Sequence, residues 1–325
     1  MFSFIANIFG YLLKWLYNIV GSNYGIAIVL FTIVLRIILL PITIKQQKSL
    51  KKTSELQGKM QEIQFKYKNN PDQMNKEIMN LYKQEHVSPF SGCLSAIIQI
   101  VIILSVFWLV SKPLTYMNHI QANYDKDKQN YIVNSDGNQV EDDEVIKLYN
   151  RFNKETIDEN NRNYNEIRII HLAEQEYQNI NNKLQEDVVE NKEELEKEKN
   201  ALEGLRINMN FLGLDLSKVP NQNMSDFKVY IIPVLYVISS ILSIRLTTGK
   251  KKKDGNEADM TAQMNKGMSY IMPIMAVSIA FVAPLGLALY WFISNVLMII
   301  ERLVINKITD NSGSNGKPKL IEAKK

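Results

Sequence analysis

Cysteine is nearly absent from this chain of 325 residues, where Cys93 stands alone. Without a second thiol, neither a disulfide nor a cysteine-based metal site can form within one chain. Histidine is almost as scarce, and His86, His119 and His171 are too scattered to suggest a metal cluster. The sequence also lacks a catalytic dyad, a glycine-rich phosphate loop and an internal repeat. Enzymes therefore rank last among the function classes, and no catalytic residue, metal or cofactor is expected. Acidic residues are missing from particular places. Five apolar stretches carry almost none, namely Gly25–Ile44, Cys93–Val110, Val229–Leu246, Gly267–Ala283 and Leu285–Ile300. Residues 118–228 meanwhile hold 23 of the 34 acids.

Runs of that length and composition are read as membrane spans. The expected fold is an all-α integral membrane protein with five transmembrane helices around a hydrophilic groove. The predicted layout is an interfacial helix over 1–22, a first span over 25–44, a helical hairpin over 45–88 and a second span over 90–111. An acidic helical insertion follows over 112–228, then a third span over 229–246 and a basic loop over 247–266. Spans over 267–283 and 285–305 precede a disordered basic tail over 306–325. In the first helix Ser3, Asn7, Tyr11, Lys14 and Asn18 recur at helical spacing among apolar residues, the pattern of a helix lying in the interface. The segment lacks a basic leader and a small-residue cleavage site, although a cleaved signal stays the alternative.

Charge sets the orientation. Residues 45–85 hold nine lysines against five acids, residues 245–267 hold six basic groups against three, and the tail from Glu301 holds six against three. The long segment 118–228 has 14 basic groups against its 23 acids. Basic short loops mark the cytoplasmic side, which puts the N-terminus outside and the C-terminus in the cytoplasm. Within 45–85, Asn69-Asn70-Pro71-Asp72 breaks two helical arms, with Pro71 in the first turn of the second. Leu56, Met60 and Ile63 are expected to face Met74, Ile78 and Leu81. In the outer insertion Val188, Leu195 and Leu202 give a partial heptad, after a turn at Asn134-Ser135-Asp136-Gly137.

Arg36 is the sole charge in Gly25–Ile44. A guanidinium within a span costs about 2.5–3.5 kcal/mol on insertion scales, so a compensating environment is required. Counted from the cytoplasmic ends, Arg36 lies about 12 Å deep and Gln99 about 9 Å deep. Ser239, Ser240 and Ser243 sit in the same half of the third span, and Ser294 and Asn295 lie near the middle of the fifth, beyond Tyr290 and Trp291. Together they suggest a shared hydrated cavity open toward the cytoplasm. Each has a plainer role available: snorkelling for Arg36, and interhelical hydrogen bonding for Gln99 and Asn295. The fourth span is short and turns straight into the fifth through Ala283-Pro284-Leu285-Gly286, which should thin the bilayer locally.

Three segments carry a resemblance: Ala27–Gln46 (AIVLFTIVLRIILLPITIKQ), Ser91–Ile100 (SGCLSAIIQI) and Met264–Asn295 (MNKGMSYIMPIMAVSIAFVAPLGLALYWFISN). With Phe211–Ser217 (FLGLDLS) before the third span, the chain resembles the YidC-type membrane protein insertases and their mitochondrial and chloroplast relatives. The resemblance implies a five-span core with a groove open to cytoplasm and lipid and sealed outside. It further implies that Arg36 is the groove arginine, that Trp291 lines the path, and that spans three and five guide a nascent helix outward. Three departures stand out: Ser243 replaces a glutamine, the outer insertion is unusually long, and no lipoprotein cysteine stands near the N-terminus.

The implied function is insertion of nascent transmembrane helices into a bacterial cytoplasmic membrane, with Arg36 attracting acidic segments. Arg36, Gln99, Ser239, Ser243, Tyr290, Trp291, Ser294 and Asn295 are the candidate groove residues. Expected partners are nascent membrane proteins, then the ribosome and targeting factors through the hairpin and basic tail. Anionic lipids and a protein-translocation channel complete the set. A small-anion transporter using Arg36 and a scaffold using the acidic outer helices remain open alternatives.

Overall fold

The computed structural model describes residues 2–86, 91–125, 130–135, 138–139, 144–156, 164–186, 191–248 and 278–313. Helices dominate it. α1 (Phe2–Ile19) is followed by α2 (Tyr24–Glu55), which runs unbroken through Pro41 and past the expected end of the first span at Ile44. The first hairpin arm therefore breaks at Leu56, and α3 (Gln57–Lys66) and α4 (Pro71–Gln84) form the paired arms. Asn70 caps α4 by accepting from Gln73 N at 3.2 Å, with Pro71 at the first helical position. Leu56, Met60 and Leu81 close the seam, helped by Ile63, Ile78 and Tyr82.

α5 (Ser91–Ser111) leads into the single turn α6 (Pro113–Tyr116). Among the described residues, three helical segments are long and apolar enough to cross a membrane, within Tyr24–Gln47, Phe227–Leu246 and Leu285–Ile305, and Ile97–Ser111 is a shorter apolar helix. The last two long segments belong to α10 (Ile231–Thr248) and α11 (Leu285–Gly313). Of the span expected over 267–283, only 278–283 is described, with 278–282 helical. The basic loop over 247–266 lies outside the described residues after Thr248. The tail expected to be disordered from 306 instead continues α11 as far as Gly313, because no glycine or proline interrupts the helix before that residue. Residues 314–325 lie outside the described residues.

The outer insertion is not purely helical. It opens on an antiparallel sheet of β1 (Gln121–Asp125), β2 (Asn130–Ser135) and β3 (Asn138–Gln139), with Tyr124 opposite Tyr131 and Asn123 opposite Ile132. Tyr131-Ile132-Val133 supplies strand-forming residues that a search for helical periodicity overlooks. Then come α7 (Glu144–Thr156), α8 (Asn165–Lys183) and α9 (Lys192–Leu205). Tyr149 and Phe152 pack with Ile167, Ile170, Leu202 and Leu205 into a core continuous with that of the membrane helices. The unit is thus a folded body and not a solvated insertion. Of the partial heptad, Val188 lies outside the described residues, while Leu202 is fully buried.

Specific contacts seat this unit on the bundle. Lys14 Nζ donates to Asn118 Oδ1 at 2.8 Å, and Asn118 Nδ2 donates to Gly204 O at 3.0 Å. Asn208 N donates to the Tyr17 hydroxyl at 3.0 Å, and Tyr24 N donates to Asn208 O at 3.1 Å. A small hairpin, β4 (Asn210–Phe211) and β5 (Leu214–Asp215), lays the Phe211 ring over Gly25 at the start of α2. Past it, Leu285 N and Gly286 N at the start of α11 donate to Lys218 O and Leu216 O, both at 3.0 Å. α1 meets the bundle through Ala6, Gly10 and Leu13 and exposes Phe4, Ile8, Trp15 and Ile19. Gly10 permits the approach, since a Cβ there would sit 1.8 Å from the Tyr116 carbonyl oxygen.

Two outcomes follow from this seating. Gly10→Ala should cost about 1–3 kcal/mol of stability, because a backbone carbonyl has no rotamer to yield; thermal unfolding in detergent checks this. The buried Glu166 carboxylate accepts from Thr115 N at 2.9 Å and Thr115 Oγ1 at 2.5 Å, tying α8 to α6. Burial pushes its pKa up to about 7, outweighing those bonds and Lys112, which favour the charged form. A folded-state value raised this way stabilises fully below the usual glutamate value of about 4.3, and the contribution is lost as pH rises through about 7. The unfolding midpoint should fall between about pH 5 and pH 8, and Glu166→Gln should flatten that part of the slope.

Candidate functional site

α2 and α11 pack side by side, and Arg36 crosses between them. Its Nη2 donates to Ser294 Oγ at 2.6 Å and to Ser294 O at 3.0 Å. Nη1 lies 3.6 Å from Glu301 Oε2, and the two side chains are only 14% and 12% exposed. Glu301 Oε2 itself accepts no hydrogen bond. The guanidinium is thus oriented by Ser294 and neutralised by Glu301. The compensation that the sequence demands for a charge inside apolar helices is thus a hydroxyl, a carbonyl and a carboxylate of α11. Ser294 and Glu301 are seven residues apart on α11, two helical turns on one face, which brings both to the same guanidinium.

Beside Arg36 lies a cavity of about 10 Å3 lined by Thr32, Leu35, Leu39, Gln99, Ile102, Tyr290 and Ser294. That is room for about one water. Arg36, Gln99, Tyr290 and Ser294 are therefore brought together around a space much smaller than the shared groove read from the sequence. The other expected residues form a second cluster in the interface of α10 and α11. Asn295 Nδ2 donates to Ser239 Oγ at 3.1 Å and to Ser240 Oγ at 3.0 Å, and Ser239 Oγ donates back to Tyr236 O at 2.8 Å. Ser243 is buried one turn further along α10. Trp291 is buried with its ring 6.0 Å from that of Tyr236, at an angle of 39°. Adjacent residues Ser294 and Asn295 thus serve different neighbours, one facing α2 and the other α10.

Sequence reasoning missed Glu301 and Tyr236. Glu301 was legible in principle, since it recurs seven residues after Ser294, but closing the apolar run at Ile300 counts it as a tail charge. Tyr236 gives no polar signal within Val229–Leu246 and is found only through its ring contact. The α10–α11 hydrogen bonds should contribute on the order of 0.6–2 kcal/mol. Asn295→Ala should therefore lower unfolding stability in detergent by about that amount while leaving the Arg36–Ser294 contact in place.

The family model described as "60Kd inner membrane protein" matches residues 15–129 and 200–312, so the stretch between them, most of the outer unit, is what the family model does not cover. A protein of Treponema denticola named "Membrane protein insertase YidC" is 25% identical over 303 residues, covering 93% of this chain and 37% of that protein. The proteins of the same name from Geobacter metallireducens and Caldanaerobacter subterraneus are 44% and 39% identical over 115 and 106 residues. Those matches cover 35% and 33% of this chain, and 20% and 51% of the respective relatives. The matched part of this chain thus spans between a fifth and about half of these relatives' length.

Proposed function

This chain belongs to the 60Kd inner membrane protein family, and from that membership we propose that it is a membrane protein insertase. Support comes from the name its relatives carry, membrane protein insertase, and from one structural observation. That observation is Arg36, a cation held between two apolar helices by Ser294 instead of being released to the surface. In this reading the described apolar helices belong to a five-span core in a bacterial cytoplasmic membrane, with the N-terminus outside. α1 lies in the outer interface, α3 and α4 form the cytoplasmic hairpin, and α7–α9 stand outside.

The proposed mechanism involves no covalent step. A nascent chain reaches the cytoplasmic hairpin from the ribosome or a targeting factor and enters between α2, α10 and α11. For this to happen the small cavity beside Arg36 must widen into a groove, joining the Arg36 cluster to the Asn295 cluster. Carboxylates of the segment to be moved outward compete with Glu301 for Arg36, so the net gain is the difference between two attractions that are each on the order of 4 kcal/mol at 4 Å and an effective dielectric of 20, before desolvation. That offsets part of bringing a polar tail into the membrane. Partition of the substrate's own apolar helix into lipid then drives release. Anionic lipids would meet the basic loop and tail on the cytoplasmic side at about 1 kcal/mol per charge. A translocation channel is a further candidate partner.

Purified protein in liposomes should insert an acidic-tailed substrate, and Arg36→Ala should reduce that insertion at least about tenfold while Arg36→Lys retains most of it. Equal insertion by the alanine variant and the parent would overturn the attraction to Arg36.

A further inference from the structure

We propose that Glu301 is a built-in stand-in for the substrate carboxylate: it holds Arg36 until an acidic residue of an entering segment replaces it. It thereby sets how acidic that segment must be. The proposal rests on the insertase reading above and names what selects its substrates.

The geometry separates two jobs at Arg36. Both hydrogen bonds that fix the guanidinium go to Ser294, at 2.6 and 3.0 Å. Glu301 contributes charge alone, at 3.6 Å, with Oε2 accepting no hydrogen bond. That separation exceeds the usual N–H···O range of about 2.7–3.2 Å. Withdrawing Glu301 would thus leave Arg36 aimed as before but unneutralised. As it stands, the cavity beside Arg36 has room for about one water, so a second carboxylate that reaches the guanidinium competes with Glu301 for it. Entry is therefore an exchange of one carboxylate for another.

An exchange of this kind keeps the site neutral at its start and at its end, so no bare guanidinium has to persist within the membrane. It also discriminates. A neutral tail brings nothing to replace Glu301, whereas an acidic tail restores the pairing it displaces. The displaced side chain has a short route to water, since Glu301 lies four residues before Ile305, the end of the apolar segment, and about 10 Å along the helix from Ser294. A long acidic side chain near a helix end can turn its head group toward the interface while its methylenes stay in apolar surroundings, as long basic side chains do.

The test compares insertion by full-length parent, Glu301→Gln, Glu301→Asp, Arg36→Ala and the Arg36→Ala/Glu301→Gln double variant in liposomes. Substrates carry tails with two, one or no carboxylates. Glu301→Gln should raise insertion of the one-carboxylate substrate by about fivefold to tenfold relative to the two-carboxylate substrate. Glu301→Asp, with its carboxylate one methylene farther from Arg36, should give a smaller gain in the same direction, and it carries the test if the glutamine variant does not accumulate. In the Arg36→Ala background Glu301→Gln should add nothing. An unchanged preference among the three tails in both Glu301 variants overturns the proposal, as does a uniform loss for all tails, which marks a purely structural pair. Full insertion by Arg36→Ala would remove the underlying attraction reading instead, so the two failures are told apart.

Discussion

One cation held between apolar helices, Arg36, organises the centre of this molecule. Arg36 lies too far from either end of its span to reach water comfortably, so neighbouring helices must supply what water would. α11 does so twice, with a hydroxyl and carbonyl at Ser294 and a carboxylate two turns on at Glu301. This fixes the rotation of α11 about its own axis. Once Ser294 and Glu301 face α2, Asn295 must point about 100° away, toward α10, where Ser239 and Ser240 receive it. The placement of the third long helix follows from the same charge through one residue step.

The long apolar helices and the few polar groups inside them were readable in the sequence because apolar runs are long and such polar groups are rare. Arg36, Gln99, Tyr290 and Ser294 were singled out by that contrast and meet around one cavity. What depth counting could not supply was azimuth. Ser239 and Asn295 share a depth with Arg36 yet belong to a different interface, and only packing separates them. Glu301 escaped for a related reason. A charge at the end of an apolar run looks like the edge of the membrane until a partner on another helix shows that it points inward.

The outer unit illustrates a second limit. Its acidic composition suggests a solvated helical excursion, yet it holds a core of Tyr149, Phe152, Ile170 and Leu202 and begins with a small sheet. Short strands of polar and aromatic residues carry little periodicity, and three short amphipathic helices bury their apolar stripes against each other and against the rest of the core. The family match leaves residues 130–199 uncovered, and the seating contacts at Thr115, Asn118 and Asn208 lie in the matched parts, with Lys14 immediately before them. The unit thus attaches to surfaces that the matched parts provide.

The backbone stretch from Asn208 to Lys218 touches the start of α2 at Tyr24 and Gly25, and the start of α11 at Leu285 and Gly286, and it runs on through two short turns into α10. Three long helices are therefore stitched together at the same end by one continuous strap. The hydrogen bonds of the strap constrain the helix starts relative to one another, as the pivot of a pair of tongs constrains its blades. The Arg36–Glu301 pair bridges two of these helices well along from the strap, so any tilt about the strap would move these two side chains apart by more than it moves the helix starts.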